Sequence, residues 1–272
     1  MRTTVITGGT DGIGRALAAH LLRRGETVVV VGRSKAKFEA LVEEVGGDAH
    51  FVAADLRLVR ENRRVVAELR HRFPVVDALV LAAAYVHFDR QETEEGFEHT
   101  FALYYLSRHL LAAGLLPALA AAPRPVVVDT TVPGAATDAI RWDDLQLADG
   151  FRWKAANQQS RRLGELSGLR LATRPDAGGL RYVLVNPGFV RTSHQGAVGR
   201  AYRVFVTVLA KAIGTPPKRA ITPIVALLDE PPAEPLSICK GGKRFPVSAS
   251  DRDRADAERL HEVTERLLAG TR

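Results

Sequence analysis

The chain has 272 residues, of which 46% are hydrophobic, and it carries a formal net charge of +7. That length and apolar content suffice for one α/β domain spanning residues 1–272. The single cysteine, Cys239, excludes a disulfide framework and a cysteine-based metal site. We also expect no bound metal. The arginines are scattered and form no basic run with aromatic residues, so we expect no nucleic-acid partner.

Recognisable structural pattern begins at residue 3, which leaves no room for a signal peptide. The longest apolar stretch, residues 110–122, is short for a membrane span and contains Pro117. The sequence therefore predicts no membrane partner and a cytoplasmic location.

The first predicted strand runs directly into a glycine-rich turn and then into an amphipathic helix. Gly8 permits a sharp exit from the strand, Gly12 lets the backbone approach a pyrophosphate, and Gly14 lets the helix pack closely. An anion would then lie at the helix N-terminus. The residues predicted to bind a dinucleotide here are Thr7, Gly8, Thr10, Asp11, Gly12, Ile13 and Gly14.

The spacing Thr-Gly-x-x-x-Gly-x-Gly resembles the short-chain dehydrogenase/reductase family, and the resemblance extends over nearly the whole chain. It implies a Rossmann-type doubly wound α/β fold with about seven parallel strands and helices on both faces. It also implies a nicotinamide cofactor and a small-molecule substrate.

The second predicted strand, residues 27–31, is a continuous β-branched run, which is typical of a parallel strand buried on both faces. No acidic residue follows it that could bind the ribose 2′-hydroxyl of NAD. Arg33 and Ser34 stand there instead and favour NADP(H); a solvated surface arginine is the alternative.

After a helix at residues 37–45 and a strand at 49–53 come Asp55 and Leu56, which the resemblance assigns to the adenine. Asp55 could also cap the helix that follows, and the two roles are compatible. Strand four, residues 76–82, leads to Ala83 and Ala84, predicted to lie along the cofactor, although the family's Asn-Asn-Ala-Gly is here Leu-Ala-Ala-Ala.

The next helix and two later segments resemble the retinol-dehydrogenase and protochlorophyllide-reductase branch of the family. The segments are Trp142 to Leu147 and the C-terminal pattern of a glycine-aromatic turn, residues 242–245, before a helix at 256–268. The family's active-site asparagine falls on Tyr104, which could also be a core residue.

The family's catalytic serine falls on Thr131, which follows strand five, residues 125–130. Its Tyr-x-x-x-Lys pair falls on Asn157 and Arg161, and no tyrosine occurs between Gly150 and Leu180. The resemblance therefore places the catalytic tetrad on Thr131, Tyr104, Asn157 and Arg161, and gives Arg161 a cofactor contact as well. A hydroxyl survives at Thr131, but the usual proton donor does not.

Strand six, residues 180–185, precedes a stretch that matches the family's nicotinamide-binding motif, with Pro187, Gly188, Val190 and Thr192 as the predicted contacts. We expect a substrate lid at about 190–232, a proline-started helix at 215–228 and a seventh strand at 236–239.

Three functions are compatible with these residues. The first is a biosynthetic NADP(H)-dependent oxidoreductase whose substrate does not need the missing tyrosine. The second is a redox-neutral cyclase or isomerase that holds the nucleotide structurally, and the third is a non-catalytic NADP-binding protein. His87 and Lys154 are further ionisable side chains that could lie near the nicotinamide.

Family members commonly dimerise through two helices, which here are residues 98–121 and 151–172. Leu163, Leu166 and Leu169 form an apolar stripe on the second of them. We therefore expect a homodimer.

Overall fold

The computed structural model of the protein describes residues 1–188, 190, 196–197 and 214–271. Its strands are β1 (Thr3–Thr7), β2 (Thr27–Gly32), β3 (Ala49–Ala53), β4 (Ala78–Leu81), β5 (Val86–His87), β6 (Val126–Thr130), β7 (Arg181–Asn186), β8 (Gly196–Ala197), β9 (Leu236–Lys240) and β10 (Lys243–Pro246). Among these described residues, no helix combines the length and apolar character of a membrane span.

The helices are α1 (Gly12–Arg23), α2 (Lys35–Val45), α3 (Val59–Arg72), α4 (His99–Phe101), α5 (Ser107–Gly114), α6 (Leu116–Ala120), α7 (Trp153–Ala172), α8 (Pro217–Ala220), α9 (Thr222–Asp229) and α10 (Asp251–Ala269). A π-helical turn, Ala102–Leu106, joins α4 to α5. Such turns are rare and occur frequently at functional sites.

Eight strands form one sheet in the order β10-β9-β7-β6-β4-β1-β2-β3. The seven strands from β9 to β3 pair in parallel, which confirms the predicted α/β architecture. Strand order reverses at β1, which lies between β2 and β4. In open parallel sheets, ligands bind in the crevice beyond the carboxyl ends of strands at such a point.

Apolar cores on both faces enclose the sheet. Val29 and Val31 of β2 belong to the cluster on one face, and Val28 and Val30 belong to the cluster on the other. Because successive side chains of a strand point to opposite faces, the β-branched run of β2 contributes to both cores. This confirms that β2 is buried on both sides.

Strand β10, at the edge of the eight-stranded sheet, is not among the strands expected from the sequence. Lys243 pairs with Lys240 in the antiparallel ladder, so only Gly241 and Gly242 form the hairpin loop. Both glycines have positive φ, 58° and 77°, which suits a two-residue hairpin turn. The expected glycine-aromatic turn is therefore a hairpin that adds an edge strand.

The segment predicted as a substrate lid lies only partly within the described residues. The apolar stretch 202–213 is outside them. Ile224 and Leu227 of α9 are 0% and 1% exposed and belong to the core beside α1, so the end of the predicted range is a core helix. The predicted helix over 215–228 is two helices, because Pro223 stands in the first turn of α9 and lacks the N–H that would continue α8.

The leucine stripe predicted for a dimer interface is buried within the chain. Leu163 and Leu166 are 0% and 1% exposed and share an apolar cluster with Leu260 and Leu268 of α10. Arg162 of α7 also forms an ion pair with Asp253 at the start of α10. The C-terminal helix therefore covers this face of α7, and the stripe is not available to a second chain.

Candidate functional site

The loop between β1 and α1 is packed so closely that it requires glycine. A Cβ on Gly14 would lie 2.5 Å from the carbonyl oxygen of Gly8, and a Cβ on Gly8 would lie 2.8 Å from the Cα of Ala83. Gly8 and Gly12 also have positive φ, 69° and 54°. These close approaches place the backbone of β1, α1 and the loop after β4 against one another at the switch point of the sheet.

Thr7 connects β1 to the loop after β4. Its hydroxyl accepts hydrogen bonds from the backbone N–H groups of Ala82 and Ala83, at 3.0 and 3.2 Å. The family's asparagine side chains are absent from this loop, yet its backbone is held by the Thr7 hydroxyl. Ala84, the next predicted contact, is exposed.

The N-terminus of α1 is capped by Asp11, whose carboxylate accepts from the Gly12 N–H at 2.7 Å. Its other oxygen lies 2.6 Å from the Lys37 ammonium, which offsets the negative charge beside the proposed pyrophosphate site. Thr10 lies close to Gly32 at the end of β2, and Ile13 packs against the core. These residues form one surface around the start of α1.

Arg33 follows β2 and is exposed. Its guanidinium lies over the ring of Tyr85, 5.4 Å from the centroid. Ser34 caps α2 by accepting a hydrogen bond from the Lys37 N–H at 3.3 Å. The structure thus places Arg33 beside a helix N-terminus, where an anion would be doubly favoured.

Asp55 accepts hydrogen bonds from Arg57, through the backbone N–H at 3.1 Å and the guanidinium Nε at 2.9 Å. Burial opposes ionisation of this carboxyl, but the Arg57 hydrogen bonds outweigh it and hold the pKa of Asp55 below its usual value. The alternative in which Asp55 caps α3 is wrong. Glu95 caps that helix instead, accepting from the N–H groups of Val59 and Arg60.

Leu56, the second residue assigned to the adenine, is 5% exposed and belongs to the core. Its backbone carbonyl accepts a hydrogen bond from the Asn62 side chain at 2.9 Å. Its side chain is therefore a core group and faces away from solvent.

Tyr104 lies in the π-helical turn. Its hydroxyl accepts a hydrogen bond from the backbone N–H of Tyr85 at 3.1 Å. Burial raises the pKa of Tyr104, while Arg108 and Arg161 act in the opposite direction. The phenol therefore stays protonated and retains a proton that it can donate.

Beneath this turn lies a buried network that was not predicted from the sequence. Arg108 pairs with Asp129, and Tyr182 donates a hydrogen bond to the same carboxylate at 2.9 Å. Arg108 also donates to the backbone carbonyls of Ala83 and Thr130, both at 3.4 Å. The signal that could have indicated it is Asp129 itself, a charged residue at the end of an apolar strand.

The network fixes the carboxyl ends of β4 and β6 relative to α5. Arg108 and Asp129 are 5% and 1% exposed, and burial raises the pKa of Asp129 against the opposing charge of Arg108. Removing either partner would leave an uncompensated buried charge. The network therefore positions the loops that carry the candidate site residues.

Asn157 and Arg161 lie one helical turn apart on α7, so their side chains share a face. The Asn157 amide makes a long contact, 3.4 Å, to the carbonyl of Trp153 in its own helix. Arg161 is half-buried, and no carboxylate of the described residues forms an ion pair with it. Burial lowers the pKa of Arg161, and Tyr104 acts in the opposite direction.

Thr131 follows β6 and is half-buried. Its backbone N–H donates to the Asp129 carbonyl at 2.9 Å. The hydroxyl of neighbouring Thr130 donates a hydrogen bond to the Leu81 carbonyl at 3.0 Å. The Thr130 hydroxyl therefore links β6 to β4. The Thr131 hydroxyl has no hydrogen bond to any other described residue.

The loop after β7 carries the motif assigned to the nicotinamide. Gly188 has φ 71°, and its N–H donates to the Asn186 side chain at 2.9 Å. Pro187 is half-buried, and Val190 is 5% exposed and bridges to Thr215. Thr192 lies outside the described residues.

A cluster of aromatic residues and histidines borders the loop after β4. The rings of His87 and His99 are 4.2 Å apart, and that of Tyr85 lies 5.0 Å from that of His87. Burial, followed by the charge of His87, lowers the pKa of His99 to about 4. Burial and the charge of Arg57 also lower the pKa of His87. Lys154 is exposed, with its ammonium 5.8 Å from the ring centroid of Trp153.

Comparisons with known proteins are consistent with the sheet and the glycine loop described above. The sequence profile described as short chain dehydrogenase matches residues 2–141. The "Putative daunorubicin C-13 ketoreductase DnrU" of Streptomyces sp. (strain C5) is 31% identical, and the alignment covers 99% of this chain and 93% of that protein.

Retinol dehydrogenase 13 of Homo sapiens is 28% identical over 74% of this chain, which spans 63% of that protein's length. Among solved structures, a short-chain dehydrogenase from Sphingobium yanoikuyae in complex with NADPH superposes with a TM-score of 0.64. It is 19% identical, and the match covers 100% of this chain and 96% of that one. The glycine loop at the switch point of the sheet is consistent with the matched profile and with these relatives. The chain belongs to the short-chain dehydrogenase family of oxidoreductases.

Proposed function

We propose that the protein is an NADP(H)-dependent oxidoreductase that acts on a small organic substrate without the family's tyrosine and lysine pair. The glycine loop supports nucleotide binding, because its close contacts leave room only for backbone at the switch point. The bound cofactor would supply a hydride. Every other contribution has to come from side chains of the chain itself.

The preference for NADP(H) is supported by Arg33, which stands beside the capped N-terminus of α2 with no acidic residue at the tip of β2. A guanidinium suits the 2′-phosphate, whereas the 2′-hydroxyl of NAD is usually bound by an acid. The structurally similar Sphingobium protein is in complex with NADPH.

The observation that carries the proposal is the pair Asn157 and Arg161 on one face of α7. The family resemblance places these residues where a tyrosine donates a proton and a lysine lowers its pKa. An asparagine amide is not an acid, and a guanidinium holds its protons too tightly to act as a shuttle. Arg161 nevertheless retains a positive charge, which suits a ribose or an anionic substrate group.

Hydride transfer to a simple ketone leaves an alkoxide, and a positioned acid accelerates that step by about 10²- to 10⁴-fold. Transfer to an iminium, a quinone methide or an activated enone leaves much less negative charge to neutralise. For such substrates, proximity to the nicotinamide carries most of the acceleration. The hydroxyls of Thr131 and Tyr104 are then sufficient as hydrogen-bond donors to the substrate.

The experiment is a substrate panel with purified protein and NADPH, monitored both by absorbance at the NADPH band and by chromatography. Oxidation of NADPH with an activated acceptor is the expected result. Product formed without NADPH consumption would replace the oxidoreductase with a redox-neutral enzyme. Tight NADPH binding with no conversion of any panel member would favour a non-catalytic binding protein.

A further inference from the structure

A cavity lies away from the glycine loop, between α5, α7 and α10. Its volume is about 270 Å³, and its lining includes His109 of α5, Ser167 and Arg170 of α7, and His261 and Glu265 of α10. The cavity is formed because the C-terminal helix crosses these two helices. None of these residues belongs to the proposed oxidoreductase site.

Three of the lining residues offer metal-binding atoms at short range. One ligand atom each from His109, His261 and Glu265 can be chosen so that all three lie within 4.8 Å of one another. His261 and Glu265 are four residues apart on α10 and so project from the same face of the helix. Two imidazoles and one carboxylate are a donor set that zinc and neighbouring transition metals accept.

Ser167 contacts one of the two ring nitrogens of His109. The His109 Nδ1 lies 2.9 Å from the Ser167 hydroxyl, so Nε2 is the nitrogen left for a ligand.

His261 provides an independent indication of a missing ligand. Its Nδ1 is buried and has no hydrogen-bond partner among the described residues. The nearest carboxylate oxygen, Oε1 of Glu265, is 3.9 Å away, which is too far for a hydrogen bond. A buried ring nitrogen without a partner is unusual in native proteins, and a bound ion would satisfy it.

The charges around the cavity are compatible with a cation. Arg170 and Arg174 also line it, but each is paired with an acid, Arg170 with Glu258 at 3.1 Å and Arg174 with Asp176 at 2.7 Å. Glu265 adds a negative charge within the ligand set. The local field is therefore less positive than the two arginines alone would make it.

We propose that His109, His261 and Glu265 bind one zinc-like divalent ion, with water as the fourth ligand. In a tetrahedral zinc site, ligand nitrogens are separated by about 3.4 Å, given Zn–N bonds of about 2.1 Å. The ligand atoms lie within 4.8 Å of one another here, so side-chain rotations would have to shorten this spacing when an ion binds. The ion would join α10 to α5 across the face of α7 and act as a structural clamp for the C-terminal helix.

The test uses the untagged full chain after treatment with a chelator. Calorimetric titration with zinc chloride should show one saturable site, and zinc should raise the melting temperature. His261→Ala and Glu265→Gln should each weaken zinc binding by about tenfold or more. Glu265 is exposed and His261 is half-buried, so both variants should fold, which circular dichroism would check.

His71→Ala is the control, since His71 is an exposed histidine on α3. It should bind zinc as the unaltered protein does. Hydrogen exchange should also show that zinc protects the amides of α10 in the unaltered protein and not in His261→Ala. Absence of saturable binding, or equal binding by His261→Ala and the control, would overturn the proposal.

Discussion

The hydroxyl of Tyr104 accepts a hydrogen bond from the backbone N–H of Tyr85, with 3.1 Å between the two atoms. This bond joins the π-helical turn to the loop after β4. The same loop is held from its other side by Thr7, through the N–H groups of Ala82 and Ala83. The position at which the family resemblance expects an active-site asparagine thus has a structural role, because its hydroxyl holds the loop after β4.

Tyr104→Phe should therefore destabilise the fold and weaken cofactor binding together. The substitution leaves the Tyr85 N–H without its partner, which costs about 1–3 kcal/mol for a buried group. Urea denaturation and NADPH titration measure the two effects. Tyr105→Phe is a matched control, because the Tyr105 hydroxyl is bonded to Thr264 of α10 and should affect stability only. Unchanged NADPH affinity in Tyr104→Phe would show that this hydrogen bond does not contribute to cofactor binding.

NADPH should bind more tightly than NADH by at least about tenfold. A charge-assisted contact to the 2′-phosphate is worth about 1.5–3 kcal/mol, and about 1.4 kcal/mol corresponds to a factor of ten. Arg33→Ala should remove most of this difference by weakening NADPH alone. Isothermal titration with both nucleotides makes the comparison, with NADH serving as the internal control. Equal affinities in the unaltered protein would contradict the assignment of Arg33.

Simple unactivated ketones should not be reduced at a useful rate, whereas iminium or quinone-type acceptors should be. The reason is that Asn157 and Arg161 supply no acid for an alkoxide. The rate is followed at the NADPH absorbance band, with Thr131→Ala and Tyr104→Phe measured in parallel. Rapid turnover of a plain ketone with a bell-shaped pH profile, lost in one of these variants, would identify a substitute acid and refute this prediction.

Gly14→Ala should abolish NADPH binding and destabilise the protein. The added Cβ would lie 2.5 Å from the Gly8 carbonyl oxygen, a distance that forces the glycine loop away from α1. Gly164→Ala is the matched control in α7, where the nearest neighbour of a new Cβ is a side-chain oxygen of Asp129 at 3.9 Å. That variant should be neutral or stabilised by about 0.5–1 kcal/mol. Similar behaviour of the two variants would argue against a tight loop.

Stability should fall as the pH is lowered from about 6.5 towards 4, partly because of His99. The pKa of His99 is lowered from 6.5 to about 4 by burial and by His87, so in this window the unfolded chain binds a proton that the folded chain does not. Stability is then present above the unfolded pKa and is lost as the pH falls, by on the order of 3 kcal/mol at most.

His99→Gln removes this titration and retains a donor for the Tyr85 carbonyl, which lies 3.2 Å from the His99 Nε2. Unfolding free energies measured between pH 4 and pH 8 should therefore vary less in this variant. His71→Gln, at an exposed position, should leave the pH dependence unchanged. A profile for His99→Gln that parallels that of the unaltered protein would mean that His99 titrates normally.

The regular parts of the fold could be predicted from the sequence because their signals are local. The run of valines in β2 needs two apolar faces, and Gly8, Gly12 and Gly14 stand in a strand-to-helix turn that needs glycine. The seven parallel strands and the family follow from such patterns. Asn157 and Arg161, which replace the family's tyrosine and lysine, could also be identified from the sequence. Their catalytic roles remain predictions.

Contacts between distant segments decided the rest. The stripe of Leu163 and Leu166 would serve a partner chain or the chain's own terminus equally well, and only the position of α10 shows which one covers it. Asp55 had two acceptable roles, and the proximity of Arg57 and Glu95 excluded the cap. The pairing of Arg108 with Asp129 and the meeting of His109 with His261 likewise depend on packing between helices and strands that are remote in the chain. The sequence gives the chemical type of each side chain, but tertiary packing determines which residue that side chain contacts.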